Sequence, residues 1–124
     1  MADELILVVE DNERNAKLVR DVLDATGYRL LETTTAEEGL EMARRDQPDL
    51  ILMDIQLPGM DGTTALGHLK ADPATSAIPV IAVTASVMPM ERAQVMEAGF
   101  DGFQEKPISV KALLGQIREL LNGA

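Results

Sequence analysis

The chain contains no cysteine and no tryptophan, has one tyrosine and two phenylalanines, and is short of basic residues. Without cysteine it can form neither a disulfide framework nor a thiolate metal site. Lysine and arginine number 11 against 21 aspartates and glutamates, which gives a formal net charge of −10. Because nucleic-acid binding depends on basic side chains that neutralise phosphates, this balance argues against a nucleic-acid partner. The scarcity of aromatic rings also leaves few surfaces on which bases or flavins could stack.

Long hydrophobic runs are missing as well. The first apolar run, Leu5 to Val9, is too short for a signal peptide or a bilayer span, and the acidic stretch Met1 to Glu4 precedes it where a secretory leader would be basic. We therefore expect a cytoplasmic protein without a membrane partner. A length of 124 residues suits one domain, residues 1–124, with its core between about residues 5 and 121.

Short apolar runs alternate with helical patterns along the chain. The predicted strands cover residues 5–9, 28–32, 49–53, 80–84 and 101–105. The predicted helices cover residues 12–26, 35–45, 63–71, 90–98 and 109–121. Continuous apolar strands are typical of a parallel sheet that is buried on both faces. The pattern predicts a single doubly wound (βα)5 domain of the α/β class, with the strand order 2-1-3-4-5.

Chemically active side chains follow four of the five predicted strands. They are Glu10 and Asp11 after the first strand, Asp54 after the third, Thr84 at the end of the fourth, and Lys106 after the fifth. The second strand ends without a distinctive group beyond Thr33 to Thr35. In sheets of this kind, ligands bind beyond the carboxyl ends of the strands. We therefore expect these side chains to converge on one edge of the sheet.

These residue types suit phosphoryl chemistry. Crowded carboxylates need a counter-charge, and Mg²⁺ favours sites with one or two carboxylates, several waters and a phosphate oxygen. A lysine ammonium suits a phosphate, and a carboxylate can attack phosphorus to form an aspartyl phosphate. The residues predict Mg²⁺-assisted phosphoryl transfer onto Asp54. A simpler alternative exists for part of the set, because Asp11 or Asn12 could serve only as a helix N-cap.

Four stretches closely resemble one known family, the receiver domain of bacterial two-component response regulators. They read LVVEDN, PDLILMDIQLPGMDG, IPVIAVTA and QEKPIS, and the resemblance runs from about Leu5 to Leu121. The stretches VEDNERNAKLVRDVL and ILMDIQLPGMDG are similar to the stand-alone DivK type within this family. The resemblance implies a flavodoxin/CheY-like fold and a histidine kinase or histidine phosphotransfer protein as the phosphohistidine donor in a phosphorelay.

The resemblance also implies roles for the residues at the edge of the sheet. Asp54 would be the phosphoacceptor, and Lys106 would pair with the phosphoryl group. Asp11 and Asp54 would bind Mg²⁺ through their side chains, Gln56 through its backbone carbonyl, and Glu10 through water. Mn²⁺ or Ca²⁺ would substitute for Mg²⁺.

Further residues match the positions that control switching in the family. Thr84 would move to hydrogen-bond the phosphoryl group, and Phe103 would turn inward as the switch aromatic. Gln56 and Ser86 would set the lifetime of the phosphate, and the Lys106–Pro107 peptide bond would be cis.

The resulting hypothesis is a free-standing signalling switch, because Met1 and the short tails disfavour a receiver excised from a hybrid kinase. It would hydrolyse its own aspartyl phosphate slowly, without turning over a separate substrate. A downstream protein would bind the fourth helix, fifth strand and fifth helix, and the chain would be a monomer or a weak phosphorylation-dependent dimer.

Two other classes share a similar sheet. A phosphatase of the haloacid dehalogenase kind would need an aspartate two positions after the nucleophile, where Gln56 stands. A flavodoxin-like electron carrier would need a loop rich in glycine, serine and threonine after the first strand, where Glu10 and Asp11 stand.

Overall fold

The computed structural model describes residues 4–55, 57, 59–60, 62–84, 93, 97–106 and 108–121. In this part of the chain, five parallel strands form one sheet in the order β2-β1-β3-β4-β5. The strands are β1 (Leu5–Val9), β2 (Arg29–Thr33), β3 (Leu50–Asp54), β4 (Val80–Thr84) and β5 (Gly102–Glu105). The predicted α/β class and strand order are confirmed.

Four helices lie within the described residues. They are α1 (Glu13–Thr26), α2 (Ala36–Asp46), α3 (Gly62–Ala71) and the C-terminal helix α4 (Val110–Leu121). The predicted fourth helix, residues 90–98, falls largely outside the described residues, so α4 corresponds to the helix predicted as the fifth. None of the helices described is long and apolar enough to cross a lipid bilayer.

The sheet is buried on both faces, which explains its apolar sequence. Alternate side chains of β1 point to opposite sides: Leu7 and Val9 belong to one core cluster, and Ile6 and Val8 to the other. Every residue of β3 and β4 is buried. Full burial of one such aliphatic side chain contributes about 1.5–3 kcal/mol, so the two clusters supply most of the driving force for folding.

Local signals set most helix ends where the sequence predicted them. Asn12 is the N-cap of α1, and its side chain accepts hydrogen bonds from the backbone N–H groups of Arg14 at 3.0 Å and Asn15 at 3.3 Å. Gly27 caps the other end with a left-handed φ of 87°, which glycine adopts without steric cost. Ser109 precedes α4 and accepts the N–H of Ala112 at 3.3 Å.

Two strands lie one residue later than predicted. β2 covers Arg29–Thr33 instead of residues 28–32, and β3 covers Leu50–Asp54 instead of residues 49–53. Asp54 is drawn into the strand because it pairs in register with Val83 of β4. Asp49 lies before the strand, where its carboxylate accepts the N–H of Leu5 at 2.8 Å. Pairing with neighbouring strands, rather than local pattern, decided these bounds.

Close backbone contact positions the start of α3 against the end of β3. A Cβ atom added to Gly62 would lie 2.6 Å from the carbonyl oxygen of Asp54 and 2.8 Å from the Cα of Ile55. The N–H of Gly62 donates to the carbonyl of Ile55 at 3.0 Å. Only glycine leaves room for this approach, so the helix begins one residue earlier than the sequence predicted.

Candidate functional site

The three acids predicted for the site lie together at the carboxyl edge of the sheet. Val9 of β1 pairs with Met53 of β3, so the next residues of the two strands, Glu10 and Asp54, are neighbours. One carboxylate oxygen from each of Glu10, Asp11 and Asp54 lies within 4.8 Å of the other two. Glu10 is 6% and Asp54 is 2% exposed, whereas Asp11 is exposed. The cluster is therefore buried on one side and open to solvent on the other.

Lys106 reaches into this cluster from the far side. Its Nζ atom lies 2.9 Å from Oδ2 of Asp54 and 3.2 Å from Oε1 of Glu10. Its backbone N–H donates to the carbonyl of Thr84 at 2.7 Å, which fixes the end of β5 beside the end of β4. One ammonium thus contacts two buried carboxylates.

The electrostatics of the cluster show an excess of buried negative charge. The pKa of Glu10 is raised to about 7, mainly by burial and next by its hydrogen bond to Asp54. The backbone N–H of Asn12 and the charge of Lys106 lower it, but by less. Burial lowers the pKa of Lys106, but its contacts with Asp54 and Glu10 outweigh that effect, so its pKa lies above the ordinary value. The single positive charge of Lys106 balances one of the two buried carboxylates, so a proton or a cation is needed to balance the other.

The donor set fits a hard divalent cation. Mg²⁺ is bound by oxygen ligands, and a few carboxylates with an opening to water are the arrangement that it favours. The alternative role of Asp11 as a helix cap is not observed, because Asn12 caps α1. The Asp11 carboxylate instead lies with those of Glu10 and Asp54.

Two further predicted residues lie on neighbouring strands. Thr84, the last residue of β4, is 4% exposed at the same edge of the sheet. Phe103 lies on β5, half-buried, and packs against the core cluster that contains Leu7 and Val9. Gln56, Ser86 and Pro107 lie outside the described residues, so the lifetime, backbone-ligand and cis-peptide assignments stay predictions.

One further residue supports the site, although nothing in its sequence position distinguished it. Thr33 ends β2, is 7% exposed, and accepts the backbone N–H of Glu10 on its carbonyl oxygen at 3.0 Å. Its hydroxyl donates to Oε1 of Glu38 at 2.7 Å. The available signal was a run of three threonines directly before the start of α2, which by itself reads as a turn and a helix cap.

The fold and the site together define a doubly wound α/β protein with a cluster of three acids at the switch point of its sheet. The family model of the response regulator receiver domain matches residues 6–118. The chain belongs to this family, and the prediction of a receiver domain of two-component signalling is confirmed. Membership also sets aside the phosphatase and flavodoxin classes.

Known relatives agree with this assignment. The polar-differentiation response regulators DivK of Brucella ovis and Brucella abortus are 43% identical over 119 residues, which cover 96% of this chain and 97% of each relative. The predicted likeness to the DivK type is confirmed.

Solved structures of receiver domains match closely in fold. The receiver domain of a sensor histidine kinase from Pseudomonas aeruginosa, with a magnesium ion coordinated in its active-site cleft, is 30% identical with a TM-score of 0.91, covering 98% of this chain and 100% of that chain. A CheY-like receiver domain protein from Methanospirillum hungatei is 30% identical with a TM-score of 0.86, covering 98% and 95%.

Proposed function

We propose that this receiver domain accepts a phosphoryl group on Asp54 from a phosphohistidine of a kinase or phosphotransfer protein. The observation that carries the proposal is the setting of Asp54, which is 2% exposed and lies 2.9 Å from the Lys106 ammonium beside two further carboxylates. A structural ion pair would need one acid for one ammonium. A second and third acid at the same place are explained by a divalent cation, which would also balance the charge of a transferred phosphoryl group.

The transfer itself is a single displacement at phosphorus. An oxygen of the Asp54 carboxylate attacks phosphorus, the phosphorus–nitrogen bond of the donor breaks, and its electron pair stays on the imidazole nitrogen. Lys106 would donate a hydrogen bond to a phosphoryl oxygen, and the 2.9 Å distance between its Nζ atom and Oδ2 of Asp54 supports this role. Thr84, at the end of the adjacent strand, would donate its hydroxyl to another phosphoryl oxygen.

The residues that would hold Mg²⁺ are Asp11 and Asp54 through their carboxylates, with Glu10 acting through water and Gln56 through its backbone carbonyl. The support is the grouping of the three carboxylates within 4.8 Å and the burial of Glu10 beside Asp54, which together raise the pKa of Glu10. When bound, the ion would neutralise charge on the acids and the incoming phosphoryl group. The magnesium in the cleft of the Pseudomonas receiver supports the same assignment.

The output of the switch would be a change in protein–protein contacts near β5 and α4. Phe103 and Lys106 lie on or directly after β5, so a phosphoryl group that draws Lys106 acts on this strand first. A groove of about 550 Å³ lies beside it. The groove is lined by Gln104, Ser109, Lys111, Ala112, Gly115, Gln116 and Glu119. We expect a downstream protein to contact this groove, together with the predicted fourth helix.

The proposal is tested by incubating the protein with phosphoramidate, a small donor with a phosphorus–nitrogen bond, with and without Mg²⁺. Intact-mass spectrometry should detect one added phosphoryl group only when Mg²⁺ is present, and Asp54→Asn should remove it. Asp24→Asn makes the same chemical change on the exposed surface of α1 and should leave the modification intact. Label on Asp54→Asn, or equal labelling after chelation of Mg²⁺, would contradict the assignment.

Turnover provides a second readout. Water attacking phosphorus would break the bond to the Asp54 oxygen, release inorganic phosphate and regenerate the carboxylate. We therefore expect phosphate release to follow the amount of phosphorylated protein, without hydrolysis of a separate phosphate ester. Location in the cytoplasm and the monomer or weak-dimer state remain predictions from the sequence.

A further inference from the structure

The end of the edge strand β2 supports the backbone of Glu10. Thr33 pairs in register with Val9, and its carbonyl accepts the N–H of Glu10 at 3.0 Å as the last hydrogen bond between β1 and β2. Among the described residues, β2 has a neighbouring strand on one side only, which is β1. The last hydrogen bond of an edge strand opens most easily, because nothing on its other side restrains it. An additional restraint at Thr33 would therefore act directly on the segment that carries Glu10.

The Thr33 side chain provides such a restraint. Thr33 is buried, and its hydroxyl donates to Oε1 of the exposed Glu38 at 2.7 Å, in the first turn of α2. Glu38 is also held through its backbone, because its N–H donates to Oγ1 of the N-cap Thr35 at 3.2 Å. The end of the edge strand is thereby tied to the start of a helix.

α2 is in turn packed tightly against β1. A Cβ atom added to Gly39 would lie 2.9 Å from Cγ2 of Val9 and 3.6 Å from Cγ2 of Thr33. A larger residue at position 39 would require the Val9 side chain to move, so α2 lies close against β1. Because Gly39 directly follows Glu38, this close contact holds the first turn of α2, which carries Glu38, near Val9 and Thr33.

We propose that Thr33 and Glu38 form a positioning pair that holds the Glu10 backbone in place for cation binding. The inference rests on the proposed magnesium site. The Glu10 carboxylate is oriented from the other side by the N–H of Asn12 at 3.1 Å and by Lys106 at 3.2 Å. The Thr33 carbonyl is the restraint on its backbone, and the hydroxyl bond to Glu38 keeps that carbonyl in register.

The test compares two substitutions that each remove the hydroxyl of a buried threonine. Thr33→Val should weaken Mg²⁺ binding about two- to tenfold, the effect of one lost hydrogen bond, and should speed hydrogen exchange at the Glu10 amide in the metal-free protein. Thr75→Val is the matched control. Thr75 is 2% exposed and donates to the carbonyl of Leu69 at 2.7 Å, in the segment that follows α3. Thr75→Val should lower the free energy of unfolding without changing Mg²⁺ affinity or hydrogen exchange at the Glu10 amide.

Two further variants separate positioning from simple destabilisation. Thr33→Ser retains the hydroxyl and should restore Mg²⁺ affinity, and Glu38→Gln retains an acceptor oxygen and should stay close to the unaltered protein. Glu38→Ala should match Thr33→Val, and the double variant should be no worse than either one, because both remove the same bond.

The outcomes distinguish this inference from the proposed function. If Mg²⁺ affinity and hydrogen exchange at the Glu10 amide are the same in Thr33→Val as in Thr75→Val, the positioning pair is overturned. The proposed magnesium site is unaffected by that outcome. Full additivity of Thr33→Val and Glu38→Ala would also overturn it. Failure of the unaltered chain to bind Mg²⁺, measured by titration of its amide resonances, would overturn the proposed site and this inference with it.

Discussion

The buried carboxyl of Glu10 makes the stability of the metal-free protein depend on pH in a direction opposite to that of most acids. Its pKa is raised by burial and by Asp54 from 4.5 to about 7 in the folded chain. The folded state therefore holds a proton at Glu10 over a pH range in which the unfolded chain has released it. Stability from this group is fully present below pH 4.5 and is lost as the pH rises through 7.

The size of the effect follows from the same two pKa values. One pKa unit corresponds to about 1.4 kcal/mol, so a rise from 4.5 to about 7 gives a loss on the order of 3 kcal/mol in the free energy of unfolding between acid and pH 8. That is a large share of the roughly 5–15 kcal/mol that stabilises an ordinary domain. It should therefore exceed the error of a careful denaturation experiment.

The assay is urea denaturation followed by far-ultraviolet circular dichroism, in the presence of a chelator, from pH 5 to pH 8. Glu10→Gln is the matched variant, because it keeps the shape and removes the titration. The difference in the free energy of unfolding between the two proteins should change from pH 5 to about pH 7, with the variant gaining relative stability as the pH rises, and should level off above pH 7. Mg²⁺ at about 100 times its dissociation constant should return about 2.7 kcal/mol to the unaltered protein at pH 8.

A flat difference between the two proteins from pH 5 to pH 8 would refute the reasoning. It would mean that Glu10 is solvated, contrary to its 6% exposure, or that the charge of Lys106 fully offsets burial and Asp54 in the metal-free state. A difference of the opposite sign would mean that the Lys106 charge outweighs both burial and Asp54.

Three further predictions concern stability and use the same denaturation assay. Gly62→Ala should lower the free energy of unfolding by more than about 1 kcal/mol and weaken Mg²⁺ binding, because the new Cβ atom would lie 2.6 Å from a backbone carbonyl oxygen at the end of β3. Gly67→Ala, in the same helix, should raise the free energy of unfolding by about 1 kcal/mol, since in the described part of the chain nothing beyond its own helix turn lies within 4 Å of the added Cβ. Equal effects of the two changes would disprove the close contact at Gly62. Asp101→Ala should lower the free energy of unfolding by about 1–3 kcal/mol, because the N–H of the buried Val80 loses the carboxylate that accepts it at 2.9 Å. Lys70→Ala should change the free energy of unfolding by no more than about 0.5 kcal/mol. A neutral Asp101→Ala would mean that water replaces the carboxylate.

Much of the fold was predictable from short-range patterns. The apolar runs of β1, β3 and β4 are continuous because both faces of the sheet are covered, and that alone indicated a parallel arrangement. Asn12 and Gly27 end α1 through contacts within a few residues, so their roles could be predicted without a structure. The same holds for Val80–Thr84, whose predicted and observed bounds agree.

Other features depended on contacts between distant parts of the chain. Asp54 belongs to β3 because of its pairing with Val83, and α3 begins at Gly62 because its backbone meets the end of that strand. Thr33 looked like an ordinary turn residue, since the backbone of Glu10 reaches its carbonyl only when β1 and β2 pair. No local pattern contains that information.

The sequence by itself determined which chemical groups follow which strands, because strand alternation and the carboxyl-edge rule depend only on order along the chain. Only the tertiary structure decided the distances and the burial. Lys106 meets Glu10 across 96 residues and Asp54 across 52, through the register of parallel strands that hydrogen-bond side by side. The pKa of Glu10 is likewise a tertiary property, because it arises from the exclusion of water by residues far away in the sequence.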